Sequence, residues 1–267
     1  ASLIFRNKVE ANGTKTNPII FKKLSNNPWG VIALQGKKTS NSSFNHITIK
    51  GGSGAHLNNI IYTGMFSIHD TENVFLNNIT MQNNHIYDDM LHIVYSKNIF
   101  MENINLVESL FDAIDIDISS NIIMRNLNVM KSGNDGVDFM DSNGLITNSQ
   151  INGSGDKAIS AGEDSNVLIY NSSILENNIG IAVKDGSEVT VENSSLKNYP
   201  YNVSAFSKNW QYGNQGGKIN VLNSQIFGDL NTIKLSDNSF LYYNNFACLN
   251  NKKFNDIELN DDFDFYH

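Results

Sequence analysis

Cysteine is nearly absent. Cys248 is the only one in 267 residues, so no internal disulfide can staple the fold, and no Cys/His set has the spacing of a zinc site. It reads as a small apolar residue near the chain's end. Proline occurs 3 times, and arginine only at Arg6 and Arg125. With Lys+Arg at 19 against Asp+Glu at 27, the net charge is −8 and no basic patch forms, which argues against nucleic acid as a partner. Nowhere do about 18 consecutive apolar residues occur, so no membrane-spanning segment is expected. The opening "ASLIFRNKVEANGTKTNPIIF" lacks the charged-then-apolar layout of a signal peptide. A sustained period of 3.6 is missing too, which leaves helix to short caps.

What the chain does have is a 40% hydrophobic content, enough for one sizeable core, and a repeat. The runs "NNIT", "ENIN", "RNLN", "TNSQ", "YNSS", "ENSS" and "LNSQ" share Asn78, Asn103, Asn126, Asn148, Asn171, Asn193 and Asn223, separated by 25, 23, 22, 23, 22 and 30 residues. That period is too short for helical solenoids and suits one coil of a parallel β-helix. The last, longer step holds an insertion. Within a coil, "AIDIDIS" alternates: Ile114, Ile116 and Ile118 on one face, Asp115 and Asp117 on the other, as in a half-buried strand. Stacked coils are about 4.8 Å apart, so the asparagines are expected to form an inward ladder of amide-to-amide bonds.

This layout resembles the right-handed parallel β-helix superfamily of pectate lyases, polygalacturonases and many bacterial surface proteins. The resemblance implies a single all-β solenoid over 1–267, with entry coils in 1–44, regular coils in 45–242 and a C-terminal cap or tail in 243–267. Because the entry coils begin without a cap, a preceding portion of chain is expected. The series "GNDGVDF", "GDKAIS", "IGIAVKDGS" and "SAFSKNWQYGNQGGKI" is similar to β-helix regions of uncharacterised bacterial surface proteins. That similarity implies a secreted or cell-surface module, joined in some cases to other domains.

Aligned on the repeat, the acidic stretch falls into columns. One reads Asp89, Asp112, Asp135, Lys157, Ile179; the next His92, Asp115, Asp138, Ser160, Ala182; a third Asp88, Phe111, Asn134, Asp156, Asn178; Asp117 and Lys184 lie two residues past the second. Like charges about 5 Å apart repel by roughly 1 kcal/mol in water and several-fold more near a protein surface. A counter-charge or raised pKa values should follow: either bound Ca²⁺, which takes carboxylate and amide oxygens, or carboxyls that stay protonated and serve as acids. Outward strand positions must also be polar, and Asp beside Gly is common at turns, so a solvated acidic face is the plain alternative. Lys157 is the natural internal counter-ion, and a base if its pKa falls. His92, at the patch edge, is a candidate acid or base.

Two enzyme resemblances bear on this patch. "NDGVD" followed by "GDKAIS" resembles the catalytic coils of polygalacturonases, which casts Asp135 and Asp156 as acid/base carboxylates. Lys157 replaces that family's next Asp, and "NIG" at 178–180 stands where it has Gly-His-Gly. The columns are also similar to polysaccharide lyase family 9, which implies calcium held at Asp112, Asp115, Asn134, Asp135 and Asp138, with a lysine base near Ser160. Under that likeness Lys157, His92 and Asp156 are the catalytic candidates. Asp89, Asp117, Lys184, and Trp210 and Tyr212 on the insertion at 207–217, are the substrate contacts, since aromatics there can stack on sugar rings. The leading expectation is an extracellular polysaccharide-interacting β-helix, working by β-elimination with calcium if catalytic. The other is a non-catalytic adhesin or structural segment of a larger surface protein.

Overall fold

The computed structural model describes residues 1–244 and the backbone of 247–249. The chain winds into a right-handed parallel β-helix with no α-helix among the described residues. Two long sheets run the length of the solenoid. One has ten strands: Leu3–Phe5, Ile32–Gln35, Phe66–His69, Leu91–Val94, Ile114–Asp117, Val137–Met140, Lys157–Gly162, Ile179–Lys184, Tyr201–Phe206 and Ile233–Leu235. The other, with 16 strands, wraps the remaining sides. Its last pair, Phe240–Tyr243 with Ala247–Leu249, is antiparallel. The cap expected over 243–267 otherwise lies outside the described residues.

The alternation seen in the sequence sets which residues face in. Leu91, Ile114, Val137, Ile159, Ile181 and Val203 pair strand to strand, and all are fully buried. Ile93, Ile116, Phe139, Ala161, Val183 and Ala205 form the neighbouring inward column. Each coil therefore hides its apolar edge against identical edges above and below, and a single core runs through the stack. The expected insertion is present: Val203 pairs with Ile233, 30 residues on, and 207–217 leave the coil with a short turn of helix at Trp210–Tyr212.

The asparagine column departs from expectation. Asn78, Asn103, Asn126, Asn148, Asn171, Asn193 and Asn223 all have φ between 47° and 55°, the left-handed region that asparagine tolerates better than most residues. They turn the chain at one corner, and their side chains point outward, most of them exposed. Amide bonds do link some neighbours, as Asn126 Nδ2 to Asn103 Oδ1 at 2.6 Å and Asn171 Nδ2 to Asn148 Oδ1 at 2.6 Å. The inward ladders are serines. Ser96, Ser119, Ser142 and Ser165 each donate a backbone N–H to the hydroxyl of the next serine, ending at Ser187, over 2.9–3.0 Å. Ser149, Ser172 and Ser194 repeat the device toward Ser224. At corners where backbone ladders break, a small hydroxyl satisfies an N–H that would otherwise be buried without a partner.

Candidate functional site: the acidic face of the ten-stranded sheet

The acidic columns occupy the outward face of the ten-stranded sheet. His92 pairs with Asp115, Asp115 with Asp138, Asp138 with Ser160 and Ser160 with Ala182, as the alignment of columns predicts. Asp89, Asp112 and Asp135 sit where the chain enters the strands. Two of them bind the coil that follows: Asp112 Oδ1 accepts from Asp135 N and from Asn134 Nδ2, each at 2.7 Å, and Asp135 Oδ1 accepts from Lys157 N at 2.9 Å. Gly136 follows Asp135 because a Cβ there would come within 2.5 Å of the Ala158 carbonyl oxygen. The Asp-Gly pair thus closes one coil on the next.

Burial controls the electrostatics. Asp135 is only 2% exposed; loss of hydration pushes its carboxyl up to about 7, against the pull of Lys157 and with help from Asp138 and Asp112. Lys157 Nζ lies 3.3 Å from Asp135 Oδ1 and also bonds Asp156. Burial pulls this lysine down, but Asp135 and Asp156 outweigh it and hold the ammonium above its ordinary value. The geometry makes Lys157 a counter-charge, one of the two roles open to it. Asp89 is driven by burial to about 7, and its Oδ2 is buried without a hydrogen-bond partner. Asp115 rises further, to about 10, through burial first and then the charges of Asp89, Asp117 and Asp138. Asp112 is raised by burial as well. Burial thus pushes Asp89, Asp112, Asp115 and Asp135 toward the protonated form.

His92 stands at one edge. Its Nδ1 is 2.9 Å from Thr63 Oγ1 and 3.3 Å from His69 Nε2, while its Nε2 lies 3.2 Å from Asp117 Oδ2 and 3.8 Å from Asp115 Oδ2. Burial pushes His69 down to about 3, with His92 adding to the effect, so His69 is neutral. Its ring stacks on Tyr62 and meets His92 edge-on.

The residues expected to hold calcium fit that ion poorly. Asp112 and Asp135 spend an oxygen on backbone N–H groups, Asn134 donates to Asp112, and Lys157 covers Asp135. Calcium takes six to eight oxygen ligands, water included, and here Lys157 competes with it for Asp135. Among the described residues, the group whose ligand atoms lie within 4.8 Å of one another is His92, Asp115 and Asp117.

The remaining expected contacts lie farther along the stack. Lys184 is nearly buried, and its chain crosses Gly162, where a Cβ would stand 3.1 Å from Lys184 Cε. Asp185 Oδ1 accepts from Lys208 N at 2.6 Å and Asn209 N at 2.8 Å, which pins the inserted loop. Trp210 is 83% exposed on it. The Tyr212 hydroxyl is raised by burial and by Asp141, Glu163, Asp164 and Asp185, so its ring borders a second acidic corner. Sequence reasoning passed over His69 and Thr63; Ser160, where the lyase likeness placed a lysine base, has a buried Oγ with no hydrogen-bond partner. The signal for His69 was available: it shares the column of Val94 and Asp117, one coil before the acidic pattern begins.

Residues 89–261 match the family model described as right handed beta helix region, and the chain belongs to that family. No curated protein matches it in sequence. Among solved structures it is similar to an alginate lyase from Paenibacillus sp. str. FPU-7, at 12% identity over 87% of this chain and 88% of that one, with a TM-score of 0.51. It is also similar to the A-module of the mannuronan C-5 epimerase AlgE6 from Azotobacter vinelandii, at 14% identity over 90% and 78% of the two chains, with a TM-score of 0.50. At these identities the likeness is one of fold.

Proposed function

We propose that the chain binds an acidic polysaccharide along the outward face of the ten-stranded sheet and cleaves it by β-elimination. The observation that carries this reading is the hydrogen-bonded succession Asp135, Lys157, Asp156. It runs from a buried carboxyl titrating near 7, through a protonated ammonium, to a carboxylate 44% exposed at the surface. A group that titrates near the working pH is the best placed to exchange protons. In the proposed step, with Asp135 starting in its ionised form, Asp156 takes the C5 proton of a uronate unit while Lys157 gives a proton to Asp135 and recovers one from Asp156. The C4–O4 bond breaks as the C4=C5 double bond forms, and the relay returns its proton to the leaving oxygen. Lys157, the nearly buried Lys184 and the exposed Lys234 are cations on this face that can attract the sugar's carboxylate, and the exposed Trp210 ring offers a stacking surface.

The similar structures, an alginate lyase and a mannuronan epimerase, favour a polysaccharide as ligand on this frame. A polysaccharide ligand in turn points to a secreted or cell-surface setting. No helix among the described residues is long and apolar enough to cross a membrane. The relay needs no calcium.

The test is a panel of polyuronates monitored for the ultraviolet absorbance of the unsaturated product, with Asp156→Asn and Lys157→Met as variants. Product formed by the native chain and lost in both variants supports the reading. Tight binding without product sinks it. That result would leave a non-catalytic adhesin or structural segment of a larger surface protein, which the scarcity of arginine and the protonated state of Lys157 would suit.

A further inference from the structure

Beside the relay, the face carries a group of side chains that it does not use. His92 lies on the strand Leu91–Val94, and Asp115 and Asp117 on the strand Ile114–Asp117 one coil along, where His92 pairs with Asp115 and Val94 with Asp117. All three side chains leave the same outward face, so an imidazole nitrogen and two carboxylates converge from adjacent coils. Their ligand atoms lie within 4.8 Å of one another, with His92 Nε2 at 3.2 Å from Asp117 Oδ2 and 3.8 Å from Asp115 Oδ2. Donors that share one ion at bonds of about 2.0–2.2 Å stand roughly 3–3.5 Å apart. The two His92 distances lie near that range, and the carboxylate oxygens, within 4.8 Å of each other, would draw together around an ion.

Two further observations point to a ligand here. The His92 ring is already oriented from behind: Nδ1 meets Thr63 Oγ1 at 2.9 Å and His69 Nε2 at 3.3 Å. This leaves Nε2 aimed at the carboxylates, the arrangement by which outer hydrogen bonds fix a metal-binding histidine. Asp89, 2% exposed, has its Oδ2 buried without a partner, and it lies near enough to Asp115 to raise that carboxyl and to His92 to be lowered by it. Asp89 is thus a third carboxylate, and a fourth possible donor, near the group, with one buried oxygen unpartnered.

We propose that His92, Asp115 and Asp117 form a binding site for a divalent first-row transition-metal ion of the zinc or manganese class, with Asp89 beside it. The mixed nitrogen and oxygen donors and their small number suit such an ion. Calcium prefers a larger shell made of oxygen alone. The site differs from the calcium set expected from the sequence, sharing only Asp115 with it. It goes beyond the polysaccharide reading and does not depend on it. Its consequence for that reading is an ion that offsets the charges of Asp115 and Asp117 on a face that otherwise repels an acidic chain.

The test is calorimetric titration of Zn²⁺ alone, and separately of Ca²⁺ alone, into chelator-treated full-length chain, with Co²⁺ absorption as a spectroscopic check. Expected are one Zn²⁺ per chain, Zn²⁺ affinity at least tenfold weaker in His92→Gln and Asp117→Asn, Co²⁺ bands lost in both, and native affinity in Asp138→Asn. Calcium at equal concentration should not displace the bound ion. Each variant is checked for native circular dichroism. Should His92→Gln not fold, Asp117→Asn and Thr63→Val take its place, the latter costing roughly tenfold through the lost outer hydrogen bond. Zn²⁺ affinity unchanged in these variants, calcium bound as tightly as zinc, or no heat from Zn²⁺ would each overturn the proposal. No sugar enters the titration, so it can fail while the lyase screen succeeds, and the reverse.

Discussion

Replacing Asp135 by asparagine isolates the cost of burying one carboxyl. The side chain keeps its shape, and its Oδ1 can still accept the Lys157 N–H that the native oxygen takes at 2.9 Å. What disappears is the proton equilibrium. In the folded chain this carboxyl titrates near 7, against an ordinary value of 3.8, so between these limits the native state holds a proton that the unfolded state has released. Stability from this group is therefore greatest at low pH and is lost as pH rises, at about 1.4 kcal/mol per unit within the window. From pH 5 to pH 7 the native chain should lose about 2 kcal/mol relative to Asp135→Asn. That corresponds to roughly 4–8 °C in the difference between their unfolding midpoints. Scanning calorimetry of both proteins at pH 5, 6, 7 and 8 reads it directly, and taking the difference removes, to first order, the contributions of Asp89 and Asp115. Parallel pH profiles, or a native chain that gains on the variant as pH rises, would refute the assignment of a proton to Asp135.

Three other outcomes follow from the stack. Ser142→Ala leaves the buried Ser119 N–H without the acceptor it has at 2.9 Å, and should lower stability by about 1–3 kcal/mol in urea titration. Asn126, at φ 53°, should tolerate glycine with little change, whereas Asn126→Val should cost about 1–2 kcal/mol or more, since a branched side chain is strained there; equal effects from the two would contradict the corner assignment. Asp185→Ala removes the acceptor for Lys208 N and Asn209 N, and should lower the fluorescence anisotropy of the exposed Trp210 while leaving the unfolding midpoint of the remaining coils close to native.

The architecture was legible because a coil has to solve the same two problems at each turn. It must bury an apolar edge, which writes Ile114, Val137 and Ile159 into matching positions, and it must bend the chain at a corner, which writes asparagine there. The repeat found by aligning asparagines was therefore real, but its cause was backbone conformation and not the inward stacking of amides. The inward ladder stood one residue further on, in the serines of "TNSQ", "YNSS", "ENSS" and "LNSQ". A serine next to asparagine reads as an ordinary polar corner. Nothing local marks it as buried until the coils are stacked and its hydroxyl is seen to take the N–H of the coil before.

The same ambiguity explains why the aspartates were legible as a patch and not as roles. An aspartate at the mouth of a strand can do what those serines do, and Asp112 and Asp135 each spend an oxygen that way, on the N–H of the following coil. Such residues would appear in this fold whether or not it acted on anything, so acidic columns alone carry little weight. The informative carboxylates are the ones the backbone does not need. Asp115 and Asp117 have side-chain contacts to His92 and none to a backbone N–H, and Asp89 keeps one buried oxygen unpartnered. Keeping these groups crowded costs stability, as the rise of Asp115 to about 10 shows, and serine or asparagine would fill the same outward positions without that cost. Chemistry is thus to be sought where the stack gains nothing: at His92, Asp115 and Asp117, and at the surface end of the Lys157 relay.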